Sequence, residues 1–104
     1  RNFNADGAAF NVGETFAGIP FGKGLELVAE LDELRESDEP LAQWSLRWIL
    51  NHPEVSTVIP GASRPDQVSS NARASDLREI DGPTMRSVAA FYEKNVLPHI
   101  RGPY

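Results

Sequence analysis

A short stretch of the chain, VIPGASRPDQVSSN from Val58 to Asn71, carries the residues whose types and order could bind an anion. Its β-branched start ends in a Pro-Gly corner, after which Ser63 stands three residues before Asp66, a variant of the capping box. Pro65 lies near the first helical position. Free N–H groups and the helix dipole favour an anion at such a helix start. The stretch predicts either a local anion site or a plain capped surface helix.

The side chains at this corner suggest which anion it would bind. Gly61 would let a ligand approach the backbone, and the planar guanidinium of Arg64 can hold two phosphate oxygens. Gln67 and Asn71 lie four residues apart and so share a face of the predicted helix, where an amide could pair with the edge of adenine. Together these residues predict a phosphate next to a purine.

Hydrophobic periodicity predicts the elements that position the corner. We expect a single, mainly helical domain over residues 1–104 with one short strand. The expected elements are a loop over residues 1–22, helices over 23–36, 40–51, 65–74 and 82–95, and a strand over 55–59. Trp44, Trp48 and the last-helix residues Val88 and Tyr92 are predicted to face the core, and His52 is predicted to meet the last carbonyls of its helix.

Composition excludes several classes of function. Fifteen acidic and ten basic side chains give a net charge of -5, which argues against a nucleic-acid binder. The longest apolar runs are too short for a membrane span, and the residue types show no metal-ligand spacing. The absence of cysteine fits a cytoplasmic location. Because the chain starts at Arg1 without an initiator Met, we expect it to be a piece of a longer protein or a processed product.

The stretch LAQWSLRWILNHPEVSTVIPGASRPDQVSSNARASDL, residues 41–77, resembles the C-terminal region of the aldo-keto reductases. In that family an "AQ..LRWIL" helix, a "VIPG" strand and a "P.Q...N" helix follow one another, and the upstream GETFAGIPF and GLELVAEL also resemble bacterial members. The resemblance implies that this chain is the C-terminal part of a (β/α)8 TIM barrel, a fold of about 250 residues.

The resemblance also implies a cofactor and its contacts. The family's last strand and helix bind the 2'-phosphate and adenine of NADP(H), and the parent reaction would be hydride transfer between NADPH and a small carbonyl substrate. The cofactor contacts carried over are Gly61, Ser63, Arg64, Gln67, Ser70 and Asn71, with Ser70 at a position where many members carry Glu. No stretch of the chain matches the motifs of the family's catalytic tetrad, so we expect no catalytic residue and no reductase activity from this chain alone.

The orphan strand at residues 55–59 supports an alternative of a different class, a small helical interaction domain without catalysis. A single strand leaves its backbone N–H and C=O groups unpaired. We therefore expect the isolated chain either to pair this segment with a second copy, as a homodimer, or to lose strand structure there.

Overall fold

The structure is a computed structural model, and the part that it describes spans residues 16–101. The four predicted helices are present in this part, with shifted ends. They are α1 (Phe21–Glu33), α2 (Leu41–Leu50), α3 (Pro65–Ala72) and α4 (Gly82–Phe91). Short 3-10 turns occupy Phe16–Gly18, Arg73–Asp76 and Leu97–His99. Most of the predicted loop over residues 1–22 lies outside the described residues, and no helix in the described part is long and apolar enough to cross a membrane.

The strand predicted over residues 55–59 is not formed. These residues have neither helical nor strand structure, and the backbone groups of residues 56–59 make no hydrogen bond to another described residue. A strand requires a neighbour with which to exchange backbone hydrogen bonds, and the described part of the chain contains no strand that could pair with it. The segment remains irregular and leaves Ile59 92% exposed.

The chain divides into two compact units, and one of them, Arg35–Met85, contains the whole corner. In this unit α2 packs against α3 and against the 3-10 turn at Arg73–Asp76. Trp44 is 5% exposed and Ala74 is 1% exposed, so their side chains form the centre of this packing. The predicted core position of Trp44 is confirmed, whereas Trp48 is only partly buried.

The C-terminal end of α2 is held by two side chains. The Nδ1 atom of His52 lies 3.1 Å from the carbonyl oxygen of Trp48, which confirms the structural interpretation of this histidine. The Asn51 side chain donates to the Ile80 carbonyl oxygen at 2.7 Å and accepts from the Ile80 N–H at 3.3 Å. Asn51 thus binds the backbone of Ile80 as a neighbouring strand would, and fixes the segment that leads into α4.

Helix α4 begins at the predicted place and ends early. The Asp81 carboxylate accepts a hydrogen bond from the Thr84 N–H at 2.7 Å, as an N-cap residue does. After Phe91 the helix widens into a π-helical turn over Tyr92–Val96. Val88 is buried as predicted, but Tyr92 is 39% exposed, so its predicted inward position is wrong. An apolar stripe is buried only where another element covers it, and Ala89 on the same helix is exposed as well.

The second unit consists of the described residues before and after Arg35–Met85. In it the Asn95 amide donates to the Glu30 carboxylate at 2.8 Å. The Arg101 guanidinium donates twice to the carbonyl oxygen of Gly18, at 2.9 and 2.8 Å. Gly18 has a φ of 73°, a left-handed conformation that glycine adopts without strain.

Candidate functional site

The corner predicted from sequence is an exposed, irregular connection that leads into α3. Arg64 has an extended backbone and stands at the N-cap, with Pro65 in the first turn as predicted. The side chains of Ser63 and Arg64 are exposed, and so is Gly61. These three members of the predicted site therefore lie together on the surface at the start of a helix.

The helix start is capped by Gln67 rather than by the Ser63 and Asp66 pair that the sequence predicts. The side-chain oxygen of Gln67 accepts hydrogen bonds from the N–H groups of Ser63, at 2.8 Å, and Arg64, at 3.2 Å. The Ser63 hydroxyl lies 3.2 Å from the same oxygen. The longer glutamine side chain can reach two successive N–H groups, whereas the Asp66 carboxylate binds the guanidinium of Arg64 instead.

Backbone donors are nevertheless left at this corner. The N–H groups of Gly61, Ala62 and Asp66 make no hydrogen bond to any described residue. A Cβ atom added at Gly61 would meet nothing within 4 Å, so the space beside this backbone is open. An anion could therefore approach the chain at Gly61 and reach N–H groups on both sides of Arg64.

Arg64 provides the positive charge of the corner, and an acidic neighbour holds it. Its Nε lies 3.1 Å from Oδ1 of Asp66, and its Nη2 lies 3.3 Å from Oδ2. No described residue accepts a hydrogen bond from Nη1. Both side chains are largely exposed, at 64% for Arg64 and 70% for Asp66. The guanidinium thus has one edge bound to a carboxylate and one end available to a ligand.

The other three predicted site residues, Gln67, Ser70 and Asn71, lie on α3 and are each partly buried. Asn71 donates a weak hydrogen bond of 3.4 Å to the Gly61 carbonyl oxygen. Ser70 accepts two hydrogen bonds from the Gln43 amide, at 2.8 Å on its hydroxyl and 3.0 Å on its carbonyl oxygen. The structure therefore brings Gln67 and Asn71 to the corner, and it binds Ser70 to helix α2.

A groove with a volume of about 320 Å³ lies beside the corner. Its walls are mainly apolar, and they include Leu46, Val58, Pro60, Val68 and Asn71. Asn71 is one of four polar residues in the lining, with Ser56, Thr57 and Ser75. A concave and mainly apolar surface with a few polar groups is typical of sites that bind small ligands.

A second cleft of about 300 Å³ lies in the same unit, and none of the predicted site residues line it. Charged groups of both signs line it, among them Glu39, Arg47 and Arg78. The Ser37 hydroxyl, then the Glu39 backbone N–H and the Arg35 charge lower the pKa of the Glu39 carboxyl, against the opposing effect of desolvation. Among the described residues no group of three or more His, Asp and Glu side chains could hold a metal ion.

Sequence reasoning missed two residues that shape the site. The sequence predicts Asp66 only as part of a helix cap with Ser63. An acidic residue two positions after Arg64 is also a direct signal of an ion pair. Gln43 is not among the predicted site residues, although it lies next to the predicted core residue Trp44 and is only 8% exposed. A buried polar side chain requires partners, and this one binds Ser70.

Comparison with known proteins identifies the family of the chain that carries this corner. The model of the aldo/keto reductase family matches residues 2–93 of the chain. Neither the curated proteins nor the solved structures include a significant match. The match spans the corner, α3 and all of α4, and covers far more than half of the sequence. The chain therefore belongs to the aldo/keto reductase family.

Proposed function

We propose that this chain is the C-terminal, cofactor-binding portion of an NADPH-dependent aldo-keto reductase. Aldo/keto reductases are oxidoreductases that generally use nicotinamide cofactors, and the family implies a TIM-barrel parent. The observation that carries the proposal is the exposed Arg64 beside the open backbone of Gly61, in a chain of this family. The donors at this corner fit a phosphate group, because a guanidinium and free backbone N–H groups converge on one exposed place.

In this proposal Arg64 binds the 2'-phosphate of NADP(H). Its Nη1 end is directed to the ligand, while Ser63 and the N–H groups of Gly61, Ala62 and Asp66 share the charge. NADH lacks the 2'-phosphate, so these contacts select NADPH over NADH. Two charge-assisted hydrogen bonds, each contributing about 1.5–3 kcal/mol, are enough for a preference of at least tenfold.

Gln67 and Asn71 orient the adenine in the same proposal. The Gln67 oxygen is occupied by the helix cap, which leaves its two amide hydrogens for an acceptor on the base. Asn71 uses its amide nitrogen on Gly61 and leaves its oxygen for a donor. The apolar groove beside Asn71 would cover one face of the ring. Ser70 contributes indirectly, by holding α3 against α2 through Gln43.

The cofactor, when bound to the parent, supplies the hydride that reduces a carbonyl carbon to an alcohol. The residues of this chain bind and orient its adenosine end, and the sequence offers none of the family's tetrad motifs. We therefore expect the 104-residue chain to bind NADPH weakly and to catalyse no reduction. Turnover of a simple aldehyde with NADPH by the purified chain would overturn this part of the proposal.

The proposal is tested by replacing Arg64 with alanine in the full-length parent and measuring the dissociation constants of NADPH and NADH by fluorescence. We expect Arg64→Ala to cost at least about 1.5 kcal/mol for NADPH and to leave NADH unchanged. Arg73→Ala is the matched control, because Arg73 is an exposed arginine on the turn that follows α3. If Arg64→Ala left the ratio of the two affinities unchanged, the role assigned to Arg64 would be wrong.

A second candidate function, self-association, is favoured by the irregular segment at residues 55–59. Ile59 is 92% exposed, and the backbone of residues 56–59 makes no hydrogen bond to a described residue. Two copies could pair these segments about a two-fold axis and form a homodimer. Sedimentation of the chain and of Ile59→Lys separates the candidates: a dimer abolished by the lysine favours self-association, and a monomer at high concentration contradicts it.

A cytoplasmic location is part of the proposal as well, since a chain without cysteine and with a cofactor of central metabolism fits a reducing compartment. Fluorescence microscopy of the tagged parent tests it, and a signal outside the cytoplasm would contradict it.

A further inference from the structure

The ion pair between Arg64 and Asp66 occupies part of the surface that the proposed 2'-phosphate requires. The Asp66 carboxylate binds the guanidinium side-on through two contacts, at 3.1 and 3.3 Å. A phosphate prefers the same kind of bidentate contact with two oxygens. Asp66 therefore places two negatively charged oxygens on one of the two edges of the guanidinium at which a phosphate could bind.

We propose that Asp66 competes with the 2'-phosphate for Arg64, and thereby lowers the affinity of the corner for the phosphorylated dinucleotide and its preference over the unphosphorylated one. This inference rests on the function proposed above for Arg64. It assigns to Asp66, which the sequence predicts only as part of the helix cap, a role in specificity. Asp66 would oppose binding of the phosphorylated cofactor.

The available donors of Arg64 decide how the competition works. A guanidinium has five N–H groups, and Asp66 accepts hydrogen bonds from the single N–H on Nε and from one N–H on Nη2. A phosphate can displace Asp66 from this edge, or it can bind at the Nη1 end while Asp66 remains in place. The carboxylate opposes binding in both cases, because in the first it must lose its partner and in the second it faces a second anion.

The helix keeps Asp66 near the ligand in either case. Asp66 lies in the first turn of α3, only two residues after Arg64. Its own N–H is among the donors that the phosphate would use. The carboxylate therefore stays within a few ångströms of the bound phosphate even after it releases Arg64.

The size of the effect follows from the exposure of both side chains. Exposed ion pairs are weak, and charges separated by a few ångströms in water repel one another only modestly. Loss of the Asp66 charge should therefore raise the affinity for a 2'-phosphate about three- to tenfold. Asp66 could instead orient Arg64 for the ligand, in which case loss of the carboxylate would lower the affinity.

The test uses the 104-residue chain and two small probes, adenosine 2'-phosphate and adenosine 5'-phosphate. Amide chemical shifts give the dissociation constants of both probes for the wild-type chain, Asp66→Asn and Asp76→Asn, and they also report whether each variant is folded. Asp76→Asn removes the same charge from an exposed position at the end of the following 3-10 turn. The double variant Arg64→Gln/Asp66→Asn establishes whether the effect of Asp66 on the affinity for adenosine 2'-phosphate depends on Arg64.

We expect Asp66→Asn to bind adenosine 2'-phosphate about three- to tenfold more tightly, with less than about a twofold change for the 5'-phosphate and for Asp76→Asn. The gain should disappear in Arg64→Gln/Asp66→Asn. An unchanged or weaker affinity of Asp66→Asn would overturn the inference while leaving the role of Arg64 intact. If the wild-type chain did not prefer the 2'-phosphate, the proposed function would fail, and this inference with it.

Discussion

The side-chain amide of Gln43 on α2 donates to both the hydroxyl and the backbone carbonyl oxygen of Ser70 on α3. Gln43 is 8% exposed, so these hydrogen bonds form in a largely dry contact between the two helices. They link the central helix of this unit to the helix whose first turn forms the corner. The orientation of α3, and with it the position of Gln67 and Asn71, depends on this pair.

We predict that Gln43→Leu lowers the free energy of unfolding by about 1–3 kcal/mol, because Ser70 loses the donor to both of its oxygens. Urea unfolding measures this loss. Ser69→Ala, on the exposed side of the same helix, should change stability by less than about 0.5 kcal/mol. A double-mutant cycle with Ser70→Ala should give a coupling of about 0.5–3 kcal/mol, and additive effects would show that the pair does not hold α3.

A second prediction concerns glycine at the corner. Gly61 has no left-handed φ and open space beside it, so Gly61→Ala should leave stability unchanged or raise it by about 0.4–1 kcal/mol. The same change should weaken binding of adenosine 2'-phosphate, because the new methyl group occupies the ligand's approach. Gly18→Ala is the contrast: its φ is 73° and a Cβ would lie 2.7 Å from Nε of Arg101, so this variant should be destabilised. Equal binding by Gly61→Ala and wild type would place the ligand elsewhere.

A third prediction concerns the stability of the chain at low pH. The Ser37 hydroxyl, with smaller effects from the Glu39 N–H and Arg35, lowers the pKa of Glu39 in the folded chain. A carboxyl with a depressed pKa stabilises the fold above its unfolded pKa, which is about 4.3 for glutamate, and this contribution is lost as the pH falls through the folded pKa.

Urea unfolding between pH about 6 and 3 checks this, and we expect Glu39→Gln to flatten the loss of stability in acid. Identical acid dependence in the wild-type chain and Glu39→Gln would contradict the prediction.

Local signals in the sequence predicted the helices and the exposed corner. The start of α4 at Asp81 and the start of α3 at Pro65 follow from capping residues and proline, whose effects extend over a single turn. The prediction of a strand at residues 55–59 is wrong because a strand depends on partners that are distant in sequence. The inward position of Tyr92 is wrong because a helical wheel shows which residues share a stripe, and does not show which part of that stripe another element covers.

The candidate site stays a prediction from residue types, and the structure adds contacts that spacing along the chain does not predict. Exposure of Gly61, Ser63 and Arg64 fits their predicted role. The contacts of Gln67 with the helix start and of Asp66 with Arg64 depend on which of several nearby donors each side chain reaches. Spacing along the chain does not distinguish between such alternatives, because each lies within one helical turn.

The most direct test of the central claim is phosphorus NMR of NADP⁺ with the wild-type chain, because its 2'-phosphate and pyrophosphate give separate signals. We predict that the 2'-phosphate signal shifts and broadens on binding while the pyrophosphate signal changes little, and that Arg64→Gln abolishes the shift. Amide signals of Gly61, Ala62 and Asp66 should move in the same titration. A shift confined to the pyrophosphate, or a 2'-phosphate shift that survives Arg64→Gln, would contradict the assignment of the corner.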